Sequence, residues 1–185
     1  MAVTTRRLSA EEYFALPPGP RFTQLIDGEV VVNQPNLRHQ RITLELAQLL
    51  WAWCRAESGR GEPGIPVDVH LDDHNVFAPD VWWVAEARRP ARDALRIVGP
   101  PDLVAEVRSP STWRCDVGTK RATYERAGVA ELWLVDTEAD SVLVFRRSLA
   151  SVPQFDVALE LAAGDILTTP LLPGLAIDLT ELFDR

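Results

Sequence analysis

Between Asp102 and Asp136 the chain sets an apolar run, Leu103-Val104-Ala105-Glu106-Val107, then a stretch of helical spacing from Asp116 to Ala127, then a second apolar run ending Leu132-Trp133-Leu134-Val135-Asp136. A strand, a crossover helix and a strand in one sheet are right-handed almost without exception, so the strands around Glu106 and Trp133 are expected to lie parallel. Gly128 stops the helix between them. Glu106 is out of place in its run: an acid flanked by Ala105 and Val107 needs a cation for a partner.

Further residues gather around that acid. Asp80 opens another apolar run, Val81-Trp82-Trp83-Val84. Asp116, Lys120 and Tyr124 follow one another at four-residue steps, so they project from one helix face. The joint expectation is an acid pair for a divalent metal, Asp80 with Glu106, beside an ammonium. The chain holds 18 arginines and a single lysine, Lys120. Lysine is a compact charge whose proton can move, whereas guanidinium stays charged, which suits a place next to an attacking water or a developing phosphate charge. The alternative from spacing alone is a solvated Asp116–Lys120 pair worth a few tenths of a kcal/mol.

At 185 residues, 46% apolar and 25% charged, the chain matches one globular domain, residues 1–185. No apolar stretch reaches the roughly 18 residues of a membrane span, and Met1 to Arg7 is polar, so a cytoplasmic protein with no membrane partner is expected. Cys54 and Cys115 share no metal-ligand spacing and are expected as buried free thiols. The net charge of −8 argues against indiscriminate nucleic-acid binding. Its distribution is uneven: residues 86 to 126 carry nine positive and six negative side chains, the one net-positive stretch, and it coincides with the candidate site. A basic rim around an acidic metal pocket would suit a phosphodiester.

Taken in order, Leu8 to Leu16 is a short helix with a Ser9/Glu12 capping pattern, stopped by Pro17-Pro18. Phe22 to Asn33 is a hairpin turning at Asp27-Gly28, with Gln24 on its first arm. From Asn36, Leu37, Ile42, Leu46, Leu49, Leu50 and Trp53 recur at helical spacing until Gly59 and Gly61. Trp51 and Trp53 are core or subunit-contact candidates, and His39, in the first turn, could touch a phosphate or cap the helix. Val67 to Phe77 is a second hairpin whose turn, Asp72 to Asn75, accounts for His70 and His74 without a metal. Residues 86–101 are a basic, proline-rich surface loop that could overhang the site. Ser141 to Arg146 and Phe155 to Leu161 are expected as edge strands, and Leu179 to Phe183 as a last helical turn.

These pieces resemble the Uma2 family of restriction-endonuclease-like proteins in the PD-(D/E)XK nuclease superfamily. The resemblance rests on Leu8 to Tyr13, Leu25-Ile26-Asp27-Gly28-Glu29, Pro35 to His39, Pro79-Asp80-Val81, Glu106 to Thr112, Asp116 with Lys120 and Tyr124, and Gly128 to Asp136. It implies a mixed β-sheet with flanking helices, an α/β fold of restriction-endonuclease-like type. It also implies a Mg2+- or Mn2+-dependent endonuclease acting on DNA, with Asp80 and Glu106 holding the ion and Lys120 as the superfamily lysine. The usual Glu-x-Lys spacing points to Arg108, which cannot give up a proton, so the lysine has migrated to the next helix. Where the family places a glutamate before Leu-Ile-Asp-Gly, this chain has Gln24, which brings an acceptor oxygen and no charge. Two competing expectations follow. One is a nuclease-fold module that binds nucleic acid or a protein partner without turnover, and the other a homodimerisation domain resting on Trp51, Trp53 and the acidic carboxyl-terminal strands.

Overall fold

The computed structural model describes residues 7–17, 23–110 and 112–184. Pro18 at the end of the first helix, Phe22 at the start of the first hairpin, Ser111 in the loop after Glu106 and most of the polar amino-terminal stretch lie outside these residues.

Helix α1 (Ala10–Phe14) carries the expected capping box: the Ser9 hydroxyl accepts from the Glu12 N–H, and the Glu12 carboxylate accepts from the Ser9 N–H. Strands β1 (Thr23–Ile26) and β2 (Glu29–Val32) form the first hairpin. Its two turn residues, Asp27 and Gly28, both have positive φ, as a tight two-residue turn requires. Helix α2 (Leu37–Ala56) follows, with the Asn36 side chain accepting from the His39 N–H. Strand β3 (Glu62–Gly64) comes next, then the second hairpin of β4 (Val69–Asp72) and β5 (Asn75–Phe77), then β6 (Val81–Val84). A 3-10 turn (Glu86–Arg88) and β7 (Ile97–Val98) lead to β8 (Leu103–Val107).

The crossover helix is built in three pieces: α3 (Trp113–Cys115), a π turn (Asp116–Lys120) and α4 (Arg121–Ala127). It ends at Gly128, whose φ of 99° gives the left-handed cap. Strands β9 (Glu131–Asp136), β10 (Ser141–Arg146), β11 (Val157–Ala162), β12 (Ile166–Leu167) and β13 (Ile177–Asp178) precede α5 (Leu179–Asp184).

The strands form a six-stranded sheet, β11-β10-β9-β8-β6-β3, a five-stranded sheet, β2-β1-β5-β4-β7, and a small β12-β13 pair. Strands β8 and β9 are parallel, as the crossover demands, while their other neighbours are antiparallel. Alternation along β8 sends Leu103, Ala105 and Val107 to one face, where they pack against Ile42, Leu46 and Leu50 of α2 and Leu182 and Phe183 of α5. Val104 faces the other way, with Leu132, Leu134, Tyr124, Phe77 and Ile26. Glu106 shares that second face by the same alternation. Each of these fully buried aliphatic side chains is worth roughly 1.5–3 kcal/mol relative to exposure.

Several expectations need correction. Leu37 is 90% exposed, because it stands at the first position of α2, before the helix reaches the sheet. Of the two tryptophans expected in the core or at a subunit contact, Trp51 stands outside the core, exposed, whereas Trp53 packs edge-on against Trp83 and donates to the Pro173 carbonyl. Strand β10 is interior, flanked by β9 and β11, and of these two strands β11 is the edge. Cys54 and Cys115 are free but half-buried. The loop at 86–101 does not overhang the candidate site: Arg88 bonds Asp102 at the start of β8, the end away from Glu106, and Arg96 stacks on Phe14. Among the described residues no helix is long and apolar enough to cross a membrane.

Candidate functional site

Strand register creates the site. The antiparallel pairing that sets Val81 opposite Ala105 continues outward to bring Asp80 alongside Glu106. The Asp80 Oδ2 atom accepts the Val107 N–H at 2.8 Å and lies 3.1 Å from His39 Nε2, so strand β8 and helix α2 both fix it. Glu106 Oε1 accepts from the Tyr124 hydroxyl at 2.6 Å and pairs with Lys120 Nζ at 2.7 Å. Lys120 Nζ also reaches Asp116 Oδ1 at 3.0 Å. The Thr112 hydroxyl donates to Asp116 Oδ2 at 3.0 Å and lies 2.8 Å from the Ser109 hydroxyl, which in turn donates to Asn33. One hydrogen-bonded chain thus runs from the first hairpin through the loop after β8 and along one face of the crossover helix to Glu106.

The solvated-pair alternative does not hold: Lys120 is 1% exposed, and Asp116 and Glu106 are buried with it. Burial pushes the Glu106 carboxyl up, and the charges of Asp116 and Asp80 add to this against the pull of Lys120, bringing it to about 8. Burial works the other way on the Lys120 ammonium, but Asp116 and Glu106 outweigh it and hold the group above the usual lysine range. The labile proton of the pair therefore belongs to Glu106: the ammonium faces two carboxylates, while the carboxyl faces one ammonium and two further acids. Burial, followed by the Glu106 charge, keeps the Tyr124 hydroxyl well above its ordinary range, so it remains a donor.

The donor set fits a hard divalent cation. None of the described residues donates to Asp80 Oδ1 or Glu106 Oε2, so each acid keeps one oxygen free of protein partners. No three His, Cys, Asp or Glu side chains among the described residues form a metal cluster. Mg2+ is commonly held by one or two carboxylates while retaining several waters, which matches a two-acid site.

Gln24 and His39 line a cavity of ≈ 300 Å3 that opens beside Asp80. Gln24 Oε1 accepts the Ala78 N–H at 3.0 Å, tying β1 to the segment that carries Asp80. His39 neither caps the helix nor stands at the surface; it is buried against Asp80. Arg108 falls outside the group. Strand β8 stops at Val107, and the Arg108 guanidinium turns to Asp136, at 2.9 Å to both oxygens, and to Glu138. Of the net-positive stretch, Arg88, Arg89, Arg108 and Arg126 are each paired with carboxylates rather than left as a free rim. Sequence reasoning missed Thr43 and Asn33 as cavity residues and Thr112 as the clamp on Asp116. A threonine inside the buried stripe of α2 was the signal available for the first.

The geometry defines an α/β protein with an acid pair and a buried lysine at the end of a parallel strand pair. Residues 10–180 match the profile of Uma2, described as "Putative restriction endonuclease", and the chain belongs to that family. No curated protein sequence matches it. A crystal structure described as a putative nuclease of DUF820 from Anabaena variabilis ATCC 29413 superposes with a TM-score of 0.82 at 18% identity, over 96% of this chain and 98% of that one, a likeness of fold.

Proposed function

We propose that the chain acts as one nuclease-like unit, a Mg2+- or Mn2+-dependent endonuclease that hydrolyses DNA phosphodiesters. The observation that carries this is the placement of Asp80, just before β6, alongside Glu106 on the adjoining strand β8, each with an oxygen that no described residue occupies, with Lys120 beside Glu106. Bound by these two acids, the ion would neutralise phosphate charge and lower the pKa of a water. Asp80 is held rigid by Val107 N–H and His39, so it presents its free oxygen without reorganisation. Lys120 has three N–H donors, two of them engaged by Glu106 and Asp116, and the third can meet the attacking water or the charge that grows on phosphorus. Tyr124 holds Glu106 in place. Water adds to phosphorus and one P–O ester bond breaks.

Purified protein with Mg2+ or Mn2+ should nick plasmid or cut oligonucleotides, and Lys120→Ala should remove the activity, with Lys120→Arg nearly as damaging. No cutting by the parent, or parent-like cutting by Lys120→Ala, would overturn the assignment. A second reading, a module that binds nucleic acid or a protein partner without turnover, is favoured by the burial of Lys120 and Glu106, neither of which lines the cavity. Calorimetry with Mn2+ separates the two, because absence of binding at millimolar ion leaves only the second.

A further inference from the structure

Two residues that line the cavity beside Asp80 each carry a buried polar atom for which the protein supplies no hydrogen-bond partner among the described residues, His39 Nδ1 and Thr43 Oγ1. Both residues line it, at 2% and 6% exposure. Buried polar groups are satisfied in the great majority of cases, so two orphaned atoms on residues of one cavity wall point to a ligand that completes the bonding there. The tautomer of His39 sets what that ligand must offer. Asp80 Oδ2 already accepts the Val107 N–H and so presents lone pairs, which makes His39 Nε2 the donor to it and leaves Nδ1 as an acceptor. With the ring neutral, the ligand must bring a hydrogen-bond donor, N–H or O–H.

Other walls narrow the choice. Gln24, with its Oε1 committed to Ala78, has an NH2 group to give, and Asn33 and Gln40 add amides that donate and accept. Pro35, Leu44, Ile65 and Pro66 provide apolar surface. Among the described residues no lysine or arginine lines the space, which disfavours a phosphate there; the occupant is neutral, with a polar edge that both gives and takes hydrogen bonds. The volume, ≈ 300 Å3, is at the lower bound of small-ligand pockets.

We propose that this cavity is a nucleobase pocket, which receives one unpaired base of a single-stranded nucleic acid while the adjoining phosphate lies at Asp80 and Glu106. The identity of the ligand rests on the nuclease reading, which the pocket deepens by naming the strand form. Bases in a duplex commit their N–H edges to each other, whereas an unpaired base offers its edge to His39, Thr43 and the amides. His39 joins the two halves of the site, with Nε2 on the acid that faces the phosphate and Nδ1 in the pocket.

The test is fluorescence anisotropy in EDTA, so that no cleavage intervenes. The probes are a labelled ten-nucleotide deoxyadenosine strand, a fully abasic strand of equal charge, and the same deoxyadenosine strand paired with its complement. The single strand should bind about tenfold or more tightly than the abasic and paired probes. Leu44→Trp, at a position more than half exposed at the cavity wall, should bring the single strand down to the abasic level. Thr43→Val, which keeps shape and removes the hydroxyl, should weaken it several-fold. Equal affinity for the adenosine and abasic strands overturns the proposal, as does a base preference that both variants leave intact. The nuclease assignment is scored apart, by Mn2+-dependent cutting: base-dependent binding without cutting keeps the pocket and removes turnover, and cutting with base-independent binding does the reverse.

Discussion

Two glutamates, Glu106 and Glu131, are buried on the neighbouring parallel strands β8 and β9, three register positions apart and on opposite faces of the sheet. Glu131 is settled by neutral donors: Trp133 Nε1–H reaches one oxygen and the Thr169 hydroxyl the other, both at 2.7 Å, with Arg146 no nearer than 4.0 Å. Burial raises its carboxyl against those two hydrogen bonds. Glu106 has one oxygen shared by Lys120 and Tyr124, the other without a partner among the described residues, and two more acids within electrostatic reach. Burial alone therefore does not mark a functional acid. What distinguishes Glu106 is crowding by like charge next to an unfilled oxygen, an arrangement that a cation relieves and a neutral donor does not.

The comparison is broken most forcefully at Lys120. Lys120→Met leaves Glu106 and Asp116 buried without their cation and should cost about 3–5 kcal/mol, a drop of order 10 °C or more in Tm, with DNA cutting lost by about a hundredfold or more. Mn2+ should restore part of the Tm by mass action. Parent-like melting would mean the cluster is not the buried unit described.

A pH series sharpens it next. The folded Glu106 carboxyl, at about 8, lies above its ordinary 4.5, so the folded protein holds a proton that the unfolded chain has released. That contribution to stability is complete below about 4.5 and is lost as pH climbs through about 8. Metal needs the carboxylate, so Mn2+ affinity should climb over the same window, by up to about tenfold per pH unit. Glu106→Gln should flatten the melting profile between pH 5 and 9 relative to the parent and remove the metal response; an unchanged profile would put the labile proton elsewhere.

Glu131→Gln is the matched control. An amide can accept only one of the two donors that Glu131 satisfies, so about 1–3 kcal/mol of stability should go while Mn2+ binding stays as in the parent. Loss of metal binding in this variant would erase the distinction between the two acids. Gln24→Glu should act in the opposite sense, raising Mn2+ affinity several-fold to about tenfold through a third carboxylate at the cavity. Titration calorimetry showing no gain would mean that residue 24 does not feel the ion. The smallest effect belongs to Gly118→Ala: exposed, with nothing within 4 Å of an added Cβ, it should gain about 0.5–1 kcal/mol in denaturant melts and leave cutting unchanged.

Much of this was legible because local rules and tertiary demands agree. The Ser9/Glu12 box, the Asp27-Gly28 turn, the Asn36 cap and the crossover from β8 to β9 are signals spanning a few residues or obeying a fixed handedness. Glu106 and Lys120 stood out for chemical reasons, an acid in an apolar run and a lysine among arginines. The missed features depend on contacts distant in sequence. Strand β3, Glu-Pro-Gly, has no strand propensity and exists because β6 offers it an edge. The basic segment looked more open than it is because charge counts do not show that Arg89, Arg126 and Arg108 meet carboxylates from β3, β4 and β9. The cavity is assembled from β1, α2 and the segments before β4 and β6, so no window of sequence contains it.

The π turn at Asp116–Lys120 has a bearing on insertions and deletions. In an α-helix a four-residue step overshoots a full turn by about 40°, so Asp116, Lys120 and Tyr124 would fan out around the cylinder. The wider π turn makes such a step fall short instead, and the two errors offset, so that Lys120 and Tyr124 both reach Glu106 while Asp116 stays in line to hold Lys120. The segment thus acts as a phase adjuster for the helix. Removing one residue there, even the exposed Gly118, would keep every acid, the lysine and the tyrosine and return the segment to plain α-helix, with Tyr124 within about 20° of Asp116 but Lys120, then three residues from Asp116, swung about 60° off their shared face. A chain shorter by one glycine would hold all the right side chains and point them in different directions.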